Sequence, residues 1–182
     1  MPRRVCLQSY LSDKLLRVEN GPMTTHNSPL ALPAPTIQRE YRDAPLVGVG
    51  ALIWRGATGE VLLVQRGREP SLGMWAVPGG LVEIGETLVA ALLREVAEET
   101  GLHVRPGPFI GTFEPILRDD DGRVRIHYVV LDYLVFWETG EPRAGDDAAA
   151  VGWFTPAGLD ALPMLPATRA MIDKGIALAR AL

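Results

Sequence analysis

Residues 80–102 read GLVEIGETLVAALLREVAEETGL, and this stretch decides the fold. Its second half has a helical period. At about 100° per residue, Leu88, Leu92, Val96, Val89 and Leu93 fall in one arc, which predicts a helix with an apolar face buried against a sheet. Thr87 can cap the N-terminus through its hydroxyl, and Gly101 can end the helix in the left-handed conformation that side chains resist. Glu95, Glu98 and Glu99 fall together in the adjoining arc, at the rim of the packed face, with Arg94 directed well away from Glu95 and Glu99.

The chain of 182 residues carries 22 acidic and 18 basic side chains, a formal charge of −4. That charge is local. Between Gly80 and Gly101 stand Glu83, Glu86, Glu95, Glu98 and Glu99 against the single base Arg94, while the rest of the chain holds 17 acids and 17 bases. Like charges three and four apart on a helix repel by about a few tenths of a kcal/mol per pair, and carboxylates in the last turns oppose the helix dipole. A solvated helix face usually intersperses lysines at such spacings. Three carboxylates converging beside a Gly-rich loop instead make a hard-oxygen site suited to Mg²⁺ or Mn²⁺.

Upstream, LVGVGALIW (46–54) and EVLLVQR (60–66) flank a Gly-bearing turn and predict a hairpin, followed by a Gly/Pro-rich loop at 73–86. Downstream, two β-rich runs, His103–Leu117 and Arg123–Trp137, flank the turn signal Asp119-Asp120-Asp121-Gly122. A short strand VGWF, an N-cap pair Thr155-Pro156 and a final helix over Pro166–Leu182 complete the chain. Interleaved strands and helices predict an α/β fold, a mixed sheet with helices packed on its faces.

Residues 1–45 differ in character, with a Pro/Ser/Thr/Asn-rich stretch from Gly21 to Thr36 that predicts a flexible N-terminal extension ahead of a domain at 46–182. The first 20 residues also allow an Arg-bearing targeting peptide, a reading that Asp13 and Glu19 oppose, or a translation start at Met23. No apolar run approaches the roughly 20 residues of a membrane span. The single cysteine, Cys6, cannot make an internal disulfide, which fits a reducing, cytoplasmic setting. Two lysines and sixteen arginines, scattered among acids, form no stripe for a nucleic-acid polymer.

From Gly80 the spacing is five residues, Glu86, seven residues, then Arg94-Glu95-Val96-Ala97-Glu98-Glu99-Thr100-Gly101-Leu102. It resembles the Nudix box, G-x5-E-x7-R-E-U-x-E-E-x-G-U with U a bulky aliphatic residue, at every defined position. The resemblance implies a Nudix-type α/β/α sandwich with a mixed β-sheet over residues 46–182. It also implies hydrolysis, with a divalent cation, of a nucleoside diphosphate linked to another group, and many such relatives pair as homodimers. Residue by residue it makes Glu95 and Glu99 the primary metal ligands, Glu98 a further ligand or water contact, and the Gly80 carbonyl a candidate ligand. Glu86 and Arg94 become the orienting pair. The general base is open between Glu95 or Glu98 and, on the later loop, Asp146 or Asp147, since clustered carboxylates titrate as a coupled set.

Arg66 and Arg68 follow the second strand and precede the box loop, where guanidinium groups can meet phosphates or simply face solvent. Among Trp75, Phe113, Tyr128, Trp137 and Trp153 a base-stacking residue can stand, although strand aromatics are more often core. His127 reads as a strand-face residue. The pattern is most similar to ADP-ribose pyrophosphatase-like Nudix proteins, with Arg118 where many ADP-ribose hydrolases carry proline. The expected substrate is therefore ADP-ribose or a similar nucleotide sugar. The runner-up is house-cleaning of nucleoside triphosphates, and a reading of another class is a non-catalytic nucleotide-sensing domain.

Overall fold

The computed structural model describes residues 38–68, 71–145 and 148–182. The expected flexible arm, the targeting and start-site readings, and Asp146 and Asp147 lie outside the described residues.

The strands are β1 (Leu46–Arg55), β2 (Glu60–Arg66), β3 (Trp75–Ala76), β4 (Gly79–Leu81), β5 (His103–Phe113), β6 (Ile116–Arg118), β7 (Val124–Thr139) and β8 (Ala148–Phe154). The helices are α1 (Leu88–Thr100) and α2 (Pro166–Arg180), with a 3-10 turn over Pro156–Ala161 between β8 and α2. The sheet runs β3-β2-β1-β7-β5, with β4 on β1, β6 on β7 and β8 on β2. β1 and β7 are parallel while the other pairs are antiparallel, so the sheet is mixed as expected.

The split between β1 and β2 positions the box loop. The two strands pair only at Ile53–Arg55 with Glu60–Leu62 and then diverge. Into the gap comes the Gly/Pro-rich segment, which is less irregular than its composition suggests: β3 pairs with β2 and β4 pairs with β1. Ala51 N–H donates to the Pro78 carbonyl at 2.9 Å, pinning the turn between them.

Two cores make the sandwich. On one face α1 packs Ala91, Leu92 and Val96 against Val49, Ala51, Ile53, Leu62 and Val135. On the other α2 packs Ile172 and Ile176 against Leu52, Val61, Leu63, Ile110 and Leu134. The Trp75–Phe154 and Trp137–Trp153 pairs stack edge to face within these layers. The buried face of α1 is turned from the expected arc: Val89 and Leu93 are exposed, whereas Ala91 and Thr100 are buried. A wheel drawn through every aliphatic residue ignores alanine, and Ala91 is fully buried in the core on this face.

Candidate active site

Thr87 caps α1 by accepting from Ala90 N–H at 3.1 Å. Gly101 ends it at φ 70°, donating to the Ala97 carbonyl at 3.0 Å. Capping at both ends fixes the register of the acidic face. Glu95 and Glu99 then point at Gly79 and Gly80, which open β4. The Glu95 carboxylate fills the space that a side chain on residue 80 would take. Glu99 Oε2 accepts from Gly79 N–H at 3.0 Å.

Arg94 corrects the expectation that it points away. Its Nη1 donates to Glu95 Oε1 at 2.8 Å and to Glu98 Oε2 at 3.2 Å. Its Nε and Nη2 grip Glu86 in a fork, at 2.9 Å and 2.8 Å, and Nη2 also donates to the Leu81 carbonyl at 3.0 Å. Helical angles describe where Cβ points; a guanidinium on a long flexible stem reaches past that direction. Glu83 N–H donates to Glu86 Oε2 at 3.1 Å, so the loop itself holds the orienting pair.

Burial separates the carboxylates. The Glu95 side chain is 13% exposed and that of Glu98 is 60% exposed. Burial pushes the Glu95 pKa up, with the Arg94 hydrogen bond and charge pulling it back and the Glu98 charge adding to the rise. Hydrogen bonds from Arg94, then from the Glu83 backbone, hold Glu86 below the usual carboxylate range. The Arg94 guanidinium is held charged, chiefly by Glu86.

The expected convergence of Glu95, Glu98 and Glu99 on one point is not the arrangement found. Among the described residues, no three His, Cys, Asp or Glu side chains form a ready-made ion site. Arg94 bonds Glu95 and Glu98 on one side, and Gly79 N–H bonds Glu99 at the start of β4. The donor set still suits a hard divalent cation: carboxylate oxygens facing the two glycines of β4, which bring no side chain against them. Gly80 lies on the β4–β1 ladder opposite Val49. Gly145, the last described residue before Asp146, donates its N–H to the Glu99 carbonyl at 3.0 Å. Arg66 ends β2 and Arg68 follows two residues on, both exposed. His127 sits half-buried on β7 opposite Ile116.

A NUDIX domain model matches residues 44–174. The chain belongs to the Nudix family. The Nudix α/β/α architecture and the enzyme class, a Nudix pyrophosphohydrolase, both stand. The chain is similar to an ADP-ribose pyrophosphatase of Methanocaldococcus jannaschii, 37% identical over 121 residues and covering 66% of each chain. It thus spans about two-thirds of that relative's length. A Mycobacterium tuberculosis protein provisionally named 8-oxo-dGTP diphosphatase 2 is 41% identical over 131 residues, 70% of this chain and 84% of that one. The NUDIX domain of Shewanella oneidensis NrtR, solved as a complex with ADP ribose, superposes with a TM-score of 0.62 at 26% identity, over 78% of this chain and 91% of that one. Nudix hydrolases as a family use divalent metals and small nucleotide substrates. Among the described residues no helix is long and apolar enough to cross a membrane.

One residue that the sequence reading passed over is Asp132 on β7, 5% exposed and without a hydrogen bond or ion pair among the described residues. Its signal was the lone acid inside the apolar run HYVVLDYLVFW.

Proposed function

We propose that residues 46–182 form a hydrolase domain cleaving the pyrophosphate bond of a nucleoside diphosphate linked to another moiety, ADP-ribose or a similar nucleotide sugar, and releasing a nucleoside monophosphate. The observation that carries this reading is the pairing of two carboxylates one helical turn apart, Glu95 and Glu99, with the two adjacent glycines that open β4. The names of the archaeal relative and of the ADP-ribose complex support the substrate.

Glu95, Glu98, Glu99 and the Gly80 carbonyl would hold Mg²⁺ (or Mn²⁺). Such a cation, when bound, offsets diphosphate charge and acidifies a coordinated water. Arg94 orients Glu95 and Glu98, and Glu86 orients Arg94. Water attacks one phosphorus, the bond from that phosphorus to the bridging oxygen breaks, and the water's proton passes to a carboxylate. Glu98 suits that role because Arg94 bonds its Oε2 and the side chain is mostly exposed. Glu95, Asp146 and Asp147 remain the alternative bases. Arg66 and Arg68 are assigned to substrate phosphates, the protein to the cytoplasm, and its assembly to a homodimer.

The mycobacterial relative's name supports a second reading, pyrophosphohydrolysis of nucleoside triphosphates. A panel of ADP-ribose, nucleotide sugars, dinucleotides and nucleoside triphosphates, assayed with Mg²⁺ or Mn²⁺ for monophosphate release, separates the two. Fastest turnover of ADP-ribose is expected. Preference for a triphosphate would favour the second reading, and no release from any member would defeat both.

A further inference from the structure

The face of the sheet under α2 changes character at one row. Gly175 brings α2 tight against Leu52 and Ile110. Beyond Leu52, the next residues of β1 on this face are Gly50 and Gly48. On β7, parallel to β1, Asp132 pairs with Gly50 and Val130 with Gly48. On β5, across β7, Gly111 pairs with Asp132 and Phe113 with Val130. Directly paired residues share a face. Asp132 therefore stands between two glycines, and the exposed ring of Phe113 sits in the next row.

Asp132 is the one charged residue among the described residues that is buried; the other buried polar residue, Thr100, has its hydroxyl satisfied by the Val96 carbonyl and Leu102 N–H. A desolvated carboxylate held only for structure is expected to be paired, because burial without a partner is costly. No side-chain polar atom among the described residues is both sealed from solvent and unpaired. The Asp132 oxygens, which have no partner, therefore keep a trace of solvent contact although the residue is 5% exposed. Their neighbours are the bare Cα of Gly50 and, close by, the Val77 methyl, with the Lys174 ammonium near Gly111.

A glycine-floored strip, one unpaired acceptor and an aromatic ring beside it together suit a flat group with a hydrogen-bond donor on its edge. The row does not end at Asp132: Gly50 pairs on its other side with Gly79 of β4. Two inter-strand steps, about 10 Å, separate Asp132 from Gly79, on the order of the reach from the amino group of adenine across base and ribose to the phosphate.

The geometry points to Asp132 as the specificity-determining residue for the nucleobase of the substrate, its carboxylate accepting from an exocyclic amino group while Phe113 stacks on the ring. This inference rests on the nucleotide-hydrolase reading for its ligand and not for its test. Hypoxanthine replaces the adenine amino group by a carbonyl oxygen, whose lone pairs meet the carboxylate.

Calorimetric titration of the full chain with AMP and with IMP, without metal, tests it. Wild type is expected to bind AMP at least about tenfold more tightly than IMP, as one charge-assisted hydrogen bond allows. Asp132→Asn, nearly isosteric, should bring the two affinities together, and Phe113→Ala, an exposed change, should weaken both alike. Equal affinities in wild type, no AMP binding, or an AMP preference retained by Asp132→Asn would overturn the assignment. ADP-ribose hydrolysis without AMP/IMP discrimination would sink this inference and leave the proposed activity. Discrimination without hydrolysis would do the reverse.

Discussion

The carboxylate of Glu95 occupies the volume that any side chain at residue 80 would need. Glycine at 80 is thus required by the placement of an acid on a different element. In Gly80→Ala the new methyl group must displace Glu95 or push β4 off β1. Steady-state kinetics should show kcat lower by about a hundredfold, the scale of a misplacement near 1 Å. An unchanged kcat would separate Glu95 from the chemistry.

Arg94 holds Glu86 by two parallel bonds while its Nη1 reaches Glu95 and Glu98. Lysine keeps the charge and loses the fork. Arg94→Lys should therefore lower kcat/KM by about 10- to 100-fold, the usual scale for groups that orient ligands. A lysine variant as active as wild type would reduce the arginine to general charge balance.

Leu92 and Leu93 are neighbours in sequence with opposite surroundings: Leu92 is 1% exposed and Leu93 36%. Denaturant unfolding should cost Leu92→Ala about 2–5 kcal/mol and Leu93→Ala under about 1 kcal/mol. Equal losses would restore the arc drawn from the aliphatic residues alone.

Burial pushes the Asp132 carboxyl from 3.8 up to about 6. Between those values the native state holds the proton that the unfolded chain has released, so stability falls as pH rises through this window, by about 3 kcal/mol at most. No ion pair with Lys174 offsets the loss. Melting curves of Asp132→Asn should match wild type near pH 4 and lie several degrees higher at pH 8. A variant less stable than wild type at pH 8 would mean that the carboxylate contributes to the fold as an anion.

The box made α1, its caps and its acids legible because each is a local signal: a period, a hydroxyl at Thr87, a glycine at 101. The hairpin of β1 and β2 and the turn at 119–122 were read for the same reason. What sequence alone did not reveal depends on long-range placement. The pairing of β3 and β4 into the gap between β1 and β2 is set by strands that diverge, and no residue in the loop announces it. The reach of Arg94 belongs to a flexible stem. Asp132 looked like one acid in a strand, and only the glycines of β1 and β5 at its sides give it meaning.

The central claim is that the acids of α1 carry a metal-dependent cleavage of a pyrophosphate bond. AMP release from ADP-ribose, followed with Mg²⁺ and after chelation, in wild type and in Glu95→Gln and Glu99→Gln, tests it most directly. The account predicts release by wild type that stops on chelation and falls by about a hundredfold or more in both variants. Variants as fast as wild type, or release that ignores chelation, would contradict it.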